Sequence, residues 1–353
     1  MTKHIFLHIG HYKTGSSALQ SFLSQNASTM REYGFLYPSG LRPRNNPTNH
    51  GQLSLSLARE YGFAGPAWYG EAISADDAYR ELHAELSEAP EDKVILSSEE
   101  FVQLAMRDDP DLAIANLKAH LATYQVTILF YIREPFSLLK SWFNELNKGP
   151  VATRTFPVYF MKLNDDFLAQ QPIWSAFARH FGQENIKLLT YKHVGRDHIA
   201  EFLRVAGCDM PLPEEPPKLV QQAQPEEILE FSRLAKDRRG SLDDYTISRI
   251  GNISKFINKV QRINEQFSQI ANLSDEIRPS QLSAAAIIDY YARLLRPLRP
   301  TGNVNQKEAN NLRKLALKAE DVDLGLARAL MQAAQVIRPN GDFINKKLAE
   351  YNS

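Results

Sequence analysis

One thiol, Cys208, in 353 residues excludes an intrachain disulfide framework and the CxxC spacings of zinc and iron-sulfur sites. The nine histidines are scattered, and no HxH or HExxH spacing offers a metal centre. No apolar run approaches the ~20 residues that a membrane-spanning helix needs. The N-terminal MTKHIFLHIG lacks the apolar core and small-residue cleavage site of a signal peptide. These absences point to a cytoplasmic chain without a transmembrane segment, held at most loosely at the inner face of a membrane. Net charge is missing too: 41 basic and 41 acidic side chains cancel. That excludes the global cationic surface of a nonspecific nucleic-acid binder and leaves room for a local anion pocket.

What is present is an ordinary globular composition, 43% hydrophobic and 23% charged, arranged in a repeating pattern. Ile5 to Ile9 reads as a buried strand, Gly10 to Gly15 as a tight loop and Ser16 to Ala27 as a helix. The same order recurs at Lys93–Leu96 before Ser97-Ser98-Glu99-Glu100, at Val126–Ile132 before Arg133-Glu134-Pro135, and at Ile186–Leu189 before a helix around Asp197–Ala206. Short apolar strands alternating with helices predict an α/β fold, a P-loop-like parallel sheet flanked by helices with ligand groups at the C-terminal strand ends. Residues 1–210 form that core, with an insertion at 33–92 that reads as a lid, an acceptor wall or a structured insertion. A Pro-rich connector follows at 211–225, PLPEEPPKLVQQAQP, and 226–353 reads as a mainly helical extension, with helices expected over 226–236, 242–270, 280–296 and 306–334.

Two elements carry chemistry. In His11-Tyr12-Lys13-Thr14-Gly15-Ser16-Ser17 a strand hands over to a helix, so backbone N–H groups, hydroxyls and the helix N-terminus can surround phosphate oxygens. Lys13 adds an ammonium where a leaving phosphate gains charge. The loop differs from the nucleoside triphosphatase P-loop, because Lys13 precedes Gly15 by two positions instead of following it. A capped turn with a solvent lysine is the plainer alternative. The second element is Arg133 at the end of VTILFYI, with Pro135 opening a helix and Ser141 eight residues after the arginine. A guanidinium grips phosphate with two prongs and a serine adds a third bond. The plainer alternative pairs Arg133 with Glu134 or Glu145.

The run HIGHYKTGSSALQSFL resembles the 5′-phosphosulfate loop of bacterial sulfotransferases that use 3′-phosphoadenosine 5′-phosphosulfate (PAPS). Arg133, Pro135 and Ser141 resemble the 3′-phosphate element of that family, and NIKLLTYKHVGRDHIAEFLRVAG resembles its segment with an adenine-contacting tyrosine, here Tyr191. The resemblance covers roughly residues 4–207. It implies that Lys13 binds the phosphosulfate bridge and assists departure of adenosine 3′,5′-bisphosphate. It also implies that Thr14, Gly15, Ser16 and Ser17 hold the 5′-phosphate while Arg133 and Ser141 hold the 3′-phosphate. Asp237-Arg238-Arg239-Gly240 stands as a poorly matched candidate for the family's closing basic loop, or as a solvated charge cluster.

The implied reaction moves a sulfuryl group to an acceptor hydroxyl, on a small molecule, a carbohydrate or another cell-envelope component, with no metal. A small-molecule kinase is the alternative enzyme, although GK[ST] is lacking. A non-enzymatic nucleotide-binding or interaction protein is the third reading, and the C-terminal helices fit either internal packing or a homodimer.

For the acceptor proton, Glu99 is the first candidate base, at the end of a parallel strand. His50, in Thr48-Asn49-His50-Gly51, is the second, expected on a polar loop with a near-neutral intrinsic pKa. Glu100 reads as the far end of a capping box begun by Ser97. His11 reads as a loop-orienting residue, His4 and His8 as packed strand residues, and Asp165-Asp166 as a solvated turn.

Overall fold

The structure, a computed structural model, describes residues 2–43, 47–65, 72–149, 153–192, 195–212, 224–236, 246–302 and 306–353. Along the chain run β1 (His4–Gly10), α1 (Ser16–Gln25), α2 (Ala27–Glu32), β2 (Phe35–Leu36), α3 (Gly51–Glu60), α4 (Ala75–Glu88) and β3 (Lys93–Ser97). A 3₁₀ segment, Glu99–Met106, leads to α5 (Pro110–His120), β4 (Gln125–Ile132), α6 (Pro135–Lys148), α7 (Phe156–Lys162), α8 (Asp165–Ala169), α9 (Gln171–Phe181), β5 (Ile186–Thr190) and α10 (Arg196–Ala206). The rest is helical: α11 (Glu226–Lys236), α12 (Ile253–Ala271), α13 (Ala284–Leu295), α14 (Gln306–Ala319), α15 (Leu324–Ile337) and α16 (Asp342–Glu350).

The chain divides into two compact units. The first comprises Met1–Arg133, Gln170–Gln222 and Ile270–Ile277, and holds the five-stranded sheet in the order β2-β3-β1-β4-β5, parallel at every pairing. This is the α/β sheet flanked by helices that the alternating pattern predicts. Parallel strands buried on both faces read as continuous apolar runs, and β1 obeys: Ile5, Leu7 and Ile9 on one face and His8 on the other have no exposed surface. The face carrying Phe6 packs against Leu19, Phe22 and Leu23 of α1 and Ile199, Phe202 and Leu203 of α10. From β1 the chain builds β2 and β3 on one side and β4 and β5 on the other, so the direction of winding reverses between β1 and β4. Loops leaving those two strands diverge there and open a crevice.

Several expectations change in detail. The insertion 33–92 contributes a strand of its own, β2, paired to β3 through Phe35↔Lys93 and Leu36↔Val94. Two residues carry no readable alternation, which is why the strand is missed. The helix expected from Ser16 to Ala27 breaks at Asn26, whose side-chain amide turns back to the Phe22 carbonyl at 2.8 Å.

The second unit comprises Glu134–Ala169, Ala223–Gln269 and Arg278–Ser353. Residues 134–169, placed with the core on sequence, thus cluster with the C-terminal helices. The connector 211–225 lies largely outside the described residues, as does Asp237-Arg238-Arg239-Gly240. Of the helix expected over 242–270, residues 242–245 lie outside the described residues, and the described helix starts at Ile253, after a 3₁₀ turn at Ile247–Ile250 and Gly251 at φ 79°. The one expected over 306–334 is two, because Asp323 stops the first and caps the second by accepting from the Leu326 N–H at 2.9 Å. Asp165 opens α8 and pairs with Lys259 at 2.6 Å and with Arg262, so it is no solvated turn. Within this unit Phe143, Phe156 and Tyr290 stack edge to face, with centroids 5.1 and 4.6 Å apart. No helix among the described residues is long and apolar enough to cross a membrane.

Where β1 ends, its backbone meets the 3₁₀ segment. Gly10 has φ +94°, and a Cβ there would stand 2.9 Å from Glu99 Cβ and 3.1 Å from Glu99 Cα. A side chain at residue 10 therefore incurs both left-handed strain and overpacking against backbone. Gly10→Ala should lower unfolding stability by about 2–5 kcal/mol, combining a left-handed penalty of ~1–2 with overpacking of ~1–3. Urea unfolding measures this, and a loss below about 1 kcal/mol would contradict the fit described.

Candidate active site

The loop after β1 turns sharply through two left-handed residues, Lys13 at φ 60° and Gly15 at φ 86°. Glycine adopts that region at no steric cost, whereas lysine does so only when its surroundings hold it there. Contacts from the surrounding elements hold it. The Thr14 hydroxyl donates to the His11 carbonyl across the turn. The Tyr12 hydroxyl donates to the Glu100 carboxylate, and the Arg133 guanidinium donates to the Lys13 carbonyl. The ends of β1, β3 and β4 are thus tied to one loop.

Gly15 is the N-cap of α1 and no side chain caps that helix. The N–H groups of Ser16 and Ser17 lack an intrahelical acceptor, as in any first helical turn. Ser16 is 5% exposed and its Oγ has no hydrogen-bond partner among the described residues. An uncapped helix start with a buried, unpaired hydroxyl is what a phosphate or sulfate oxygen would satisfy. Thr14, in contrast, has no exposed surface and its hydroxyl proton is committed to His11, so it offers an anion its backbone rather than its side chain.

Arg133 is fixed from three sides. The side-chain amide of Gln170 pairs with its backbone, accepting from the Arg133 N–H at 3.0 Å and donating to its carbonyl at 2.7 Å. The guanidinium lies 4.5 Å from the centroid of the Tyr191 ring. The Tyr191 N–H extends the β4–β5 pairing to the Ile132 carbonyl at 2.8 Å. Lys13, Arg133 and Tyr191 are therefore brought together, with one face of the tyrosine ring covered by the arginine. The acids weighed as partners for Arg133 are engaged elsewhere. Glu134 caps α6 by accepting from the Phe136 and Ser137 N–H groups at 2.8 Å each, and Glu145 pairs with Lys148 at 2.9 Å. Pro135 stands in the first turn of α6, as expected, and Ser141 is half-buried on that helix in the second unit.

The candidate bases separate. Glu99 is half-buried at the end of β3, where Gln20 of α1 donates to its Oε2 at 2.8 Å. Its Oε1 accepts no hydrogen bond among the described residues. His50 is not on a polar loop. It has no exposed surface, its Nδ1 accepts from the Ser97 N–H at 3.0 Å, and its Nε2 donates to the Pro38 carbonyl at 3.0 Å. Its own N–H donates to the Ser97 carbonyl at 2.8 Å. His50 thereby closes the edge of β3 beyond the point where β2 stops, and its ring keeps no lone pair for an acceptor proton.

The capping box expected from Ser97 to Glu100 is also absent. Ser98 is the cap, accepting from the Glu100 N–H at 3.2 Å, while Ser97 Oγ pairs with His8 Nδ1 at 2.7 Å and accepts from Gln20 at 3.2 Å. Released from that duty, Glu100 faces Tyr12. Burial and then the neighbouring Glu99 charge push its carboxyl up to about 7, against the Tyr12 hydrogen bond, which lowers it. Gln20, Glu100 and Gln170 are the site residues that sequence reasoning missed. Gln20 carries a signal, a polar side chain four residues after Ser16 next to the apolar Leu19; Gln170 carries none.

Four imidazoles near these strand ends are held neutral. Burial pushes His8 down to about 3 and His11, His50 and His198 to about 4. Each contributes stability that is complete above the unfolded value of ~6.5 and is lost as pH falls toward its folded value. Glu100 acts oppositely, its contribution being present below ~4.5 and lost as pH rises through about 7. The histidines outnumber it, so stability should fall between pH 6.5 and 4.5, at about 1.4 kcal/mol per pH unit for each net proton taken up on unfolding. Urea titrations across that range check it: His198→Phe should make the slope shallower by about one proton, and a flat profile in the parent protein would contradict the burial assigned.

No family model and no curated protein matches this chain. Among solved structures, a sulfotransferase from Alicyclobacillus acidocaldarius is similar over 72% of this chain and 98% of its own, with 15% identity and a TM-score of 0.42. A likeness of that size carries no argument about fold or activity.

Proposed function

We propose that this chain is a sulfotransferase that takes a sulfuryl group from PAPS and passes it to an acceptor hydroxyl. The observation that carries this reading is the loop from Gly10 to Ser17: a left-handed Lys13 beside an uncapped helix start with a buried, unpaired Ser16 hydroxyl, its Lys13 carbonyl bonded to Arg133. The resemblance of HIGHYKTGSSALQSFL to the family's phosphosulfate loop falls on the same residues.

In this reading the N–H groups of Gly15, Ser16 and Ser17, with the Ser16 hydroxyl, hold the 5′-phosphate. The Lys13 ammonium meets charge that grows on the departing bisphosphate as the bridging S–O bond breaks. Arg133 reaches the 3′-phosphate and Tyr191 contacts the adenine. Ser141 enters on the sequence resemblance alone. The acceptor oxygen forms the new O–S bond while its proton passes to Glu99, whose Oε1 is available at the strand end. Glu99, the first candidate, is proposed as the base over His50, the second, whose ring is engaged at both nitrogens. A polar acceptor, a carbohydrate or other cell-envelope hydroxyl, remains part of the proposal.

Adenosine 3′,5′-bisphosphate should raise the melting temperature, whereas ATP with magnesium should not; the reverse order would favour the kinase alternative. Calorimetry should find adenosine 3′,5′-bisphosphate bound more tightly than 5′-AMP, and Arg133→Ala should remove most of that preference. The expected cost is about 1.5–3 kcal/mol, the range for hydrogen bonds to charged groups. Equal affinities of the parent protein for the two ligands would overturn the Arg133 assignment.

Glu99→Gln should leave nucleotide affinity nearly unchanged and lower acceptor-dependent turnover by roughly 10²–10⁴, the range of general-base catalysis. Full turnover in that variant would return Glu99 to a purely structural part.

A further inference from the structure

We infer that Glu100 is a positioning residue which, through the Tyr12 hydroxyl, fixes the backbone of the loop that carries Lys13. The inference rests on the reading of that loop as the phosphosulfate site, and the geometry behind it is independent of any ligand. Tyr12 immediately precedes the left-handed Lys13, its side chain is buried, and its hydroxyl is clasped from one short segment. Glu100 accepts the hydroxyl proton, and Gln103 Nε2 donates to the same oxygen at 3.0 Å. Arg107 in turn holds Gln103, donating to its Oε1 at 2.9 Å and to its carbonyl at 3.0 Å. The 3₁₀ segment Glu99–Met106, with Arg107 after it, therefore acts as a bracket on the loop.

Glutamine at position 100 would accept the same bond without a carboxylate's desolvation cost. A carboxylate here, 7% exposed and beside Glu99, is thus more than packing requires. Its charge has a consequence at the loop. A hydrogen bond to an ionised acceptor is roughly twice as strong as one to a neutral acceptor, so the clasp tightens as Glu100 loses its proton. With its carboxyl pushed up to about 7, that change falls in the neutral range. Among the described residues, the titratable groups acting on Glu100 are Glu99 on its own segment and Tyr12 on the loop. The packed helices α3, α5 and α9 contribute none. His11, its ring edge-on to Tyr12 with centroids 6.0 Å apart, is held neutral over the same range.

The test is hydrogen exchange of the full chain without ligand, following the amides of residues 11–17 at pH 6 and pH 8 after correction for intrinsic rates. The parent protein should be about 2- to 10-fold more protected at pH 8, the size of one ordinary net hydrogen bond. Glu100→Gln and Tyr12→Phe should both abolish the pH dependence while the amides of β4 keep their protection, which certifies the fold. The same pH dependence in all three proteins, or none in the parent, would overturn the inference. Should Glu100→Gln lose β4 protection, Tyr12→Phe decides alone, since it keeps the ring and deletes only the hydroxyl. A second arm measures adenosine 3′,5′-bisphosphate affinity at pH 8, expected to be about 2- to 10-fold weaker in both variants. Absence of binding to the parent would overturn the functional reading, and the exchange data would still decide the role of Glu100.

Discussion

The bond from the Arg133 guanidinium to the Lys13 carbonyl ties together the ends of two neighbouring strands, β1 and β4, where the sheet reverses its winding. With the bond from the His11 N–H to the Tyr131 carbonyl at 3.3 Å, it holds the loop after β1 against the end of β4. With that bond in place, Lys13 can be held left-handed and α1 can start at Gly15 without a side-chain cap. The tie itself depends on Gln170, whose amide occupies both backbone groups of Arg133 and leaves the side chain to the loop and to Tyr191. One substitution at Gln170 would therefore be felt at the loop proposed to hold phosphate.

The floor beneath this loop is built largely of buried, neutral imidazoles. His8, His11, His50 and His198 are buried and neutral, bonded to Ser97 or to backbone, or packed against aromatic rings. Charges placed at the strand ends, among the described residues, include the Lys13 and Arg133 cations and the Glu99 and Glu100 acids. In a medium of low effective dielectric, a small number of fixed charges act strongly on an incoming anion. In the proposed transfer the cations would meet the negative charge that leaves and the acids the proton that is released.

Much of this was legible in the sequence, for physical reasons. Parallel strands buried on both faces must be apolar throughout, so β1, β3, β4 and β5 stand out, and the residues that follow them are the ligand positions of such a sheet. That logic reaches Lys13, Arg133 and Glu99 without coordinates. It fails where a contact joins segments distant in sequence and neither partner has a distinctive neighbourhood. Gln170 meets Arg133 across 37 positions, and Glu100 meets Tyr12 across 88. His50 was misread for a related reason: a polar local sequence, Thr48-Asn49-His50-Gly51, says nothing of the unsatisfied strand edge at Ser97 that draws the imidazole inside. The two-residue β2 is too short to have a period at all.

The most direct measurement is a crystal structure of the full chain grown with adenosine 3′,5′-bisphosphate. The account predicts the 5′-phosphate on the N–H groups of Gly15, Ser16 and Ser17 and the Ser16 hydroxyl, with the 3′-phosphate within reach of Arg133. A nucleotide bound elsewhere, or a Ser16 hydroxyl still without a partner beside a bound phosphate, would contradict it.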